Sequence, residues 1–276
     1  MTVRLFAFFS CLLLLAQTAC FEPKEGCLDI AATNFDASVD QDCCCQYPQL
    51  VLEVIQRFDS LSFTENTAYP APLDSHLFRL KSVVFYLSDF QLVQNGLTYL
   101  VEDTVQLRAF APTGADTITE TLTDDFLLVR RLSFTNEVGS FRPDGAFQEV
   151  RIRLGLNEAA GRTIPRLAPA GHPLRTQPDS LWHGPGTGYI FAQVVLTRDT
   201  FGTTLPDTIS FSRADLGDLF LTTTAPVTHQ TGTNLKLNLV ADYKSLFAGV
   251  DLTTGDKALW KTQLAANLLA TFRVYQ

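Results

Sequence analysis

Short apolar segments separated by turn residues run along the chain from residue 49 onward. Residues 50–58 alternate in part between apolar and polar side chains, and residues 77–87 form a longer apolar segment. Such patterns are typical of strands. Asn95-Gly96 stands between FQLVQ and LTYLV and predicts a two-residue hairpin turn. Further strands are predicted at 126–134, 147–154, 188–197, 208–211, 219–223 and 234–240.

Strands of this number, with few helical periods between them, predict an all-β fold, specifically an antiparallel β-sandwich. Short helical segments are predicted near the C-terminus, at 241–247 and 257–270. The apolar residues of the second segment stand near helical spacing and are interpreted as packing against the sandwich. They are Leu259, Trp260, Leu264, Leu268 and Leu269.

Composition narrows the class of protein further. The chain has 276 residues, of which 46% are hydrophobic, so it can form a folded core and is unlike a disordered chain. Its formal net charge is −8, with 21 Lys plus Arg against 29 Asp plus Glu. Without a basic excess to follow a phosphate backbone, nucleic acid is not expected as a partner.

The first residues are typical of an export signal. Arg4 precedes an apolar segment at residues 5–16, which is shorter than the roughly 20 residues that span a bilayer. Thr18-Ala19-Cys20 resembles a bacterial lipobox, although ordinary secretion with cleavage near Ala19 is the alternative. We therefore expect residues 1–19 to be a signal peptide and Cys20 to carry lipid. The protein would then be anchored to the outer membrane, on its periplasmic or cell-surface face.

A cysteine-rich module follows at residues 20–48. An exported chain meets an oxidising compartment, so Cys27, Cys43, Cys44 and Cys45 are expected to form two disulfides. Because three of these cysteines are adjacent, one bond is either vicinal or joins Cys43 to Cys45. Both form strained rings, so a free or intermolecular thiol remains an alternative.

Acidic and amide side chains crowd the same module, and such oxygen-rich loops can bind calcium. Their spacing does not match an EF-hand loop. The segment from 26 to 48 resembles a short cysteine-bounded repeat found in exported proteins of the Bacteroidetes group. We favour a disulfide-stapled spacer over a calcium site. The residues concerned are Asp29, Asn34, Asp36, Asp40 and Asp42.

Candidate chemistry is sparse. The sequence lacks the usual signatures of zinc proteases, serine hydrolases and phosphate-binding loops, so an enzyme is not expected. The mature chain has no Met, which excludes a thioether site for Cu(I). Histidines remain as transition-metal ligands: His172 and His183 in the long connection 156–188, His229 in another loop, and His76. Connections of that length are often functional, so we expect the site there.

Four segments of the chain share a pattern with a known family, and they follow one another in the same order. The segments are FRLKSVVFYLSDFQLVQNG (78–96), FQEVRIRLGLNEAAG (147–161), LWHGPGTGYIFAQVVL (181–196) and LNLVADYKSLFAGVDL (237–252). They resemble segments of MbnP-like proteins, which are exported copper-binding proteins. The resemblance implies a β-sandwich over residues 49–276 and a copper site formed by histidines. Characterised members also use a Trp that a di-haem partner oxidises to kynurenine.

Transferred to this chain, the resemblance implies copper bound by His172, His183 and His229, with Trp182 nearby. A di-haem peroxidase-type protein would be the partner. Copper affinity should then fall below about pH 6, as the imidazoles protonate.

The sequence departs from the family motif at two places. With the Gly-Tyr pair at 188–189 aligned, His183 falls on the first family Trp and Trp182 falls on the family Phe. Ser212 and Arg213 stand where many members carry His.

The alternative is therefore a metal-free scaffold or partner-binding protein that keeps the fold and has lost the copper site. Its contact patch would include Arg162, Arg166 and Arg175 of the long connection. An enzyme that uses scattered acids is the third and least favoured hypothesis.

Overall fold

The computed structural model describes residues 22–114, 116–130, 134–178, 180–201, 203–223 and 225–276. The predicted signal peptide at 1–19 and the lipidation residue Cys20 lie outside the described residues. None of the described helices is both long enough and apolar enough to span a membrane.

Strands dominate the described residues, and short helices connect some of them. The strands are β1 (Glu25–Gly26), β2 (Gln41–Asp42), β3 (Gln49–Phe58), β4 (Leu61–Ser62), β5 (Thr67–Pro70), β6 (Leu77–Gln94), β7 (Leu97–Leu100), β8 (Thr104–Phe110), β9 (Thr117–Thr123), β10 (Leu127–Val129), β11 (Phe134–Ser140), β12 (Gly145–Phe147), β13 (Glu149–Leu154), β14 (Ile190–Thr197), β15 (Asp207–Ser212), β16 (Leu219–Thr222), β17 (Val227–His229), β18 (Leu235–Asp242) and β19 (Phe272–Tyr275). The helices are α1 (Glu158–Gly161), a 3-10 helix (Pro165–Leu167), α2 (Gly184–Thr187), α3 (Arg213–Leu216), α4 (Tyr243–Leu246) and α5 (Lys257–Thr271).

The smaller sheet has the strand order β11-β3-β18-β19, with β4 paired to β3. Every second residue of β3 is buried, as the alternation in the sequence predicts. β18 runs parallel to β3, with Leu235 opposite Leu50, whereas the other pairs of this sheet are antiparallel. The all-β sandwich is thus confirmed, with one parallel pair inside it. A parallel pair needs a long crossover, which the intervening chain provides.

The larger sheet has the order β15-β14-β6-β13-β16, and β5, β7 and β10 also pair with β6. β6 has 18 residues and a bulge at Asp89, where φ is +48° and the register with β13 shifts. The Asp89 carboxylate accepts hydrogen bonds from Arg153 Nε at 2.6 Å and from Asn157 Nδ2 at 2.8 Å. The bulge therefore fixes the start of the connection 156–188 against the sheet.

β6 ends at the predicted Asn95-Gly96 turn. Asn95 and Gly96 have φ values of +52° and +77°, and Gln94 pairs with Leu97 across the turn. A tight hairpin turn with positive φ at both central positions favours Asn-Gly, so this prediction is confirmed.

The predicted strand at 126–134 is wrong as a single element. β10 pairs with β6 in the larger sheet, whereas β11 pairs with β3 in the smaller one. The chain leaves one sheet and enters the other between these two strands, so the predicted element corresponds to parts of two strands. The hairpin of β8 and the Thr-rich β9 was not predicted, because both strands are exposed at many positions.

Both faces of the centre of β6 are buried. Residues 83–88 are all buried, although a strand covered on one face would alternate. Phe85 belongs to the main core between the two sheets, where its ring meets that of Phe272 at 5.0 Å. Val84 and Tyr86 belong to a second apolar cluster on the outer face, under β8, β9 and the connection 156–188.

The predicted C-terminal helix is confirmed as α5, with Asp256 as its N-cap. Trp260, Leu264 and Leu268 are buried against the sandwich. Leu259 and Leu269 are 43% and 53% exposed, so they are not part of the packing face that was predicted. At about 100° per residue, these two positions lie roughly 140° from the centre of the buried stripe, on the far side of the helix.

The cysteine-rich module pairs Cys27 with Cys45 and Cys43 with Cys44. The second bond joins adjacent residues. Of the two alternatives predicted for the three adjacent cysteines, a vicinal bond and a bond from Cys43 to Cys45, the structure has the vicinal bond. The module also contacts the sandwich: Arg142 lies 3.9 Å over the ring of Tyr47, whose hydroxyl donates to Asp29 at 3.0 Å. The module is thereby attached to the domain by side-chain contacts as well as by the chain.

Oxygen atoms of this module accept hydrogen bonds from the module itself. Asp36 accepts from Lys24 Nζ at 2.7 Å and from Ser38, and these bonds lower the pKa of the Asp36 carboxyl. Asp42 Oδ1 and Asn34 Oδ1 each accept a backbone N–H, at 2.9 Å and 2.8 Å. This arrangement favours a stapled spacer over a cation-binding loop.

Candidate ligand cavity

His172 anchors the connection 156–188 to the outer face of the larger sheet. Its Nδ1 accepts the backbone N–H of Leu174 at 3.1 Å, so the neutral ring carries its proton on Nε2. That Nε2 lies 3.2 Å from Asp124 Oδ1, and the ring meets Phe126 edge-on. Because both ring nitrogens are engaged, a metal could bind His172 only by breaking one of these hydrogen bonds.

His229 is 3% exposed and lies at a different place, on β17. Its ring nitrogens face two backbone carbonyl oxygens, those of Pro143 at 2.9 Å and Thr233 at 2.6 Å. Each ring nitrogen is thus within hydrogen-bond distance of an acceptor inside the fold, and the tautomer decides which nitrogen donates. These contacts leave no lone pair directed at a ligand.

His183 precedes α2 and is exposed. Its backbone N–H donates to Gly188 O at 2.9 Å, which closes the turn that carries Trp182. Among the described residues, the His183 side chain has no hydrogen-bond partner. It is the one member of the predicted ligand set whose ring is open to solvent.

A cavity of about 540 Å³ lies close to this turn, on the outer face of the larger sheet. Its walls come from β6, from the hairpin of β8 and β9, and from the connection 156–188. They are mainly apolar and aromatic, as is usual for small-molecule sites. The apolar lining residues are Tyr86, Phe110, Ile164, Pro165, Leu181, Trp182 and Tyr189.

Two tyrosines form the inner wall and hold the cover in place. The rings of Tyr86 and Tyr189 meet edge-on at 5.7 Å. Tyr189 Oη donates to Leu174 O at 2.6 Å and lies 3.1 Å from Thr163 Oγ1. Burial raises the pKa of the Tyr189 phenol, so the hydroxyl stays a neutral donor at ordinary pH.

Trp182 and Phe110 form an aromatic pair on the other side of the cavity from these tyrosines. The rings of Trp182 and Phe110 are nearly parallel, with an interplanar angle of 9° and centroids 6.4 Å apart. This separation lies near the outer end of the range for offset-stacked rings. Both side chains are partly exposed, so a flat ligand can reach their faces.

The arginines of the connection 156–188 fall into two groups. Arg162 is paired with Glu120 at 2.7 Å and with Glu158 at 3.2 Å, so it is not part of a free basic patch. Arg166 and Arg175 both line the cavity and are exposed. Among the described residues, no carboxylate oxygen lies within 4.0 Å of either guanidinium.

The fold and the cavity define a β-sandwich protein in which an irregular cover encloses a pocket on the outer face of one sheet. The MbnP family model matches residues 47–262. The chain belongs to the MbnP family, as the four sequence segments predict.

Among solved structures, the chain is similar to MbnP from Methylosinus trichosporium at 13% identity. The match covers 73% of this chain and 78% of that one, with a TM-score of 0.41. A search of curated proteins gave no match.

The residues present do not fit the copper site that the family resemblance implies. Within the described part of the chain, the one group of three potential ligands is Cys27, Asp42 and Cys45, and its sulfurs are joined in a disulfide. His172, His183 and His229 therefore do not form a group of ligands. In two of these rings, His172 and His229, both nitrogens have polar neighbours within the fold, and copper binding by this set stays a prediction.

Sequence reasoning identified the connection 156–188, Trp182 and two of the cavity arginines. It missed Tyr86, Phe110 and Thr117, which complete the walls. The missed signal was the partial alternation on either side of the Pro112-Thr113-Gly114 turn, which is typical of a hairpin.

Proposed function

We propose that the protein is an exported, lipid-anchored binding protein that takes an organic ligand in the cavity beside Trp182. In this proposal the chain keeps the family fold without the histidine copper site, and it is not an enzyme. The observation that carries the proposal is the contrast between the two kinds of side chain. The histidine nitrogens are largely used within the fold, whereas the cavity offers open aromatic faces and two arginines that have no carboxylate partner in the described part of the chain.

Export and anchoring are supported by the sequence. The segment before Cys20 has the order of a lipoprotein signal, and several acyl chains on one cysteine would hold the protein firmly at a membrane. The cysteine-rich module then lies between the lipid and the sandwich. We place the protein at the outer membrane, with the cavity in the surrounding aqueous compartment.

A copper titration separates the proposal from the copper hypothesis. The mature lipidated chain, purified in detergent without a histidine tag, is titrated with Cu(I) and Cu(II). We expect no stoichiometric uptake at micromolar metal. Uptake of about one copper per chain, lost in His172→Ala or His183→Ala and kept in His76→Ala, would overturn the metal-free proposal and restore the di-haem protein as the expected partner.

A second experiment tests the ligand directly. The mature chain is isolated from its native membranes, and bound organic molecules are identified by native mass spectrometry and solvent extraction. We expect a bound molecule that disappears in Trp182→Ala, while the exposed substitution Leu205→Ala keeps it. If Trp182→Ala retains the same bound molecule as wild type, the ligand binds outside the cavity, which contradicts the proposal.

A further inference from the structure

We propose that the cavity binds a small aromatic carboxylate, with its ring against Trp182 and Phe110 and its carboxylate at Arg166 and Arg175. This inference rests on the proposed function and adds the chemical class of the ligand. Three features of the cavity support it: its volume, its parallel rings and its charge.

The volume suits a small organic molecule. Ligand cavities commonly enclose about 300–1,000 Å³, and this one encloses about 540 Å³. Its walls are built from three separate parts of the chain that the fold holds in place. Tyr189 and Tyr86 close the inner end through buried hydrogen bonds and ring contacts.

The aromatic pair favours a flat ring. Trp182 and Phe110 present nearly parallel faces, 6.4 Å apart between centroids, and both line the cavity. Aromatic faces attract a further ring in offset-stacked or edge-to-face arrangements. An aliphatic ligand would gain the burial of apolar area without this directional contact.

The charged side chains that line the cavity, among the described residues, are both arginines, in a protein that is acidic as a whole. The chain carries a net charge of −8, yet the residues that line the cavity include two arginines and, among those described, no aspartate or glutamate. Several arginines elsewhere have acidic partners, as Arg57 has Asp242 and Arg153 has Asp89. Arg166 and Arg175 thus differ from these in having no carboxylate of the described chain beside them.

Arginine geometry indicates which anion is expected. The planar guanidinium donates two parallel hydrogen bonds to a carboxylate, and such charge-assisted bonds are stronger than neutral ones. Arg175 Nη1 already donates to Ala168 O at 2.8 Å, which orients its side chain. Arg166 has no such contact among the described residues and is the freer of the two.

Isothermal titration calorimetry with a matched pair of probes tests the assignment. Naphthalene-1-acetate carries the ring and the charge, whereas naphthalene-1-acetamide has nearly the same shape without charge. Each is titrated into the mature lipidated protein in detergent, with empty micelles as the blank. We expect the acid to bind about tenfold more tightly than the amide, and added salt to weaken only the acid.

Two variants locate the contacts. Arg166→Gln should weaken binding of the acid by about three- to tenfold and leave the amide unchanged, because Arg166 is exposed and makes no hydrogen bond or ion pair with the described residues. Trp182→Leu should weaken both probes by a similar factor. The matched control is Arg273→Gln, an exposed arginine on β19 of the other sheet, which should change neither.

The outcomes separate this inference from the proposed function. Equal affinity for acid and amide, or no effect of Arg166→Gln on the acid, overturns the carboxylate assignment. If Trp182→Leu still weakens both probes, the cavity remains the ligand site of the proposed function. Absence of binding by either probe also overturns the inference, and the molecule isolated from native membranes then decides the proposed function independently.

Discussion

The two faces of β6 are buried in different ways. The inner face meets the smaller sheet through regular strands, and Phe85 contacts Phe272 across the core. The outer face is covered by a hairpin and by the connection 156–188, which leave a cavity next to Tyr86. Regular pairing fills the inner side densely, whereas the irregular cover leaves room for a ligand. One strand thus contributes both to the main core and to the wall of the cavity.

Truncation of the inner face is expected to have the largest effect on stability. Phe85→Ala should lower the free energy of unfolding by about 3–5 kcal/mol, because it leaves a cavity between two rigid sheets. Denaturant unfolding of the purified protein measures this change. Leu205→Ala is the control, since Leu205 is 89% exposed and should change stability little. A loss below about 1 kcal/mol for Phe85→Ala would contradict the dense inner core.

A buried acid links the cover to β6 and predicts a pH dependence of intermediate size. Asp125 is 1% exposed and accepts the backbone N–H of Phe90 at 2.8 Å. Burial raises the pKa of its carboxyl to about 7. The folded protein therefore keeps a proton that the unfolded chain loses near pH 4, so the free energy of unfolding should fall as pH rises from about 4 to 7.

Above pH 7 the Asp125 carboxyl is ionised in both the folded and the unfolded protein. Its destabilising effect on the folded protein then reaches a plateau of about 2–4 kcal/mol. Unfolding curves between pH 4 and 8 measure this effect for wild type and Asp125→Asn. The variant should lose this component of the pH dependence. Asp74→Asn, at an exposed turn, is the control. An unchanged slope in Asp125→Asn would assign the pH dependence to other groups.

A substitution in the apolar cluster on the outer face of β6 is expected to have the smallest effect on the free energy of unfolding. Tyr189→Phe removes the hydroxyl that bonds Leu174 O and Thr163, and should cost about 1–2 kcal/mol. Amide exchange should increase in residues 172–178 while the strands of the smaller sheet stay protected. Tyr275→Phe, at a partly exposed end of β19, should leave both properties unchanged. Uniform loss of protection in Tyr189→Phe would mean that the cover and the sandwich unfold as one unit.

The sequence predicted regular elements best where a local pattern determines the structure. The alternation in β3, the Asn95-Gly96 turn and α5 depend on neighbouring residues and were all found as expected. Residues 126–134 were misread because one apolar segment supplies strands to two different sheets. Pairing partners far along the chain decide that division, and no local pattern reveals them.

The candidate site was only partly predictable for a similar reason. Trp182 meets Phe110 from a hairpin more than seventy residues earlier, so the cavity exists only in three dimensions. The roles of His172 and His229 depend on hydrogen bonds to Leu174, Pro143 and Thr233. A histidine in a loop looks the same in sequence whether its nitrogens are free or engaged.

The parallel pairing of β3 with β18 has a consequence for the order of folding. Leu50 lies opposite Leu235, and Gln49 N–H bonds Asn234 at a separation of 185 residues. The first strand of the sandwich can pair early with β4 and β11, but its sheet is complete only when β18 and β19 are present. Such distant contacts slow folding and prolong the exposure of apolar strands. A chain that crosses a membrane starting from its N-terminus would complete this sheet only after its last strands have arrived.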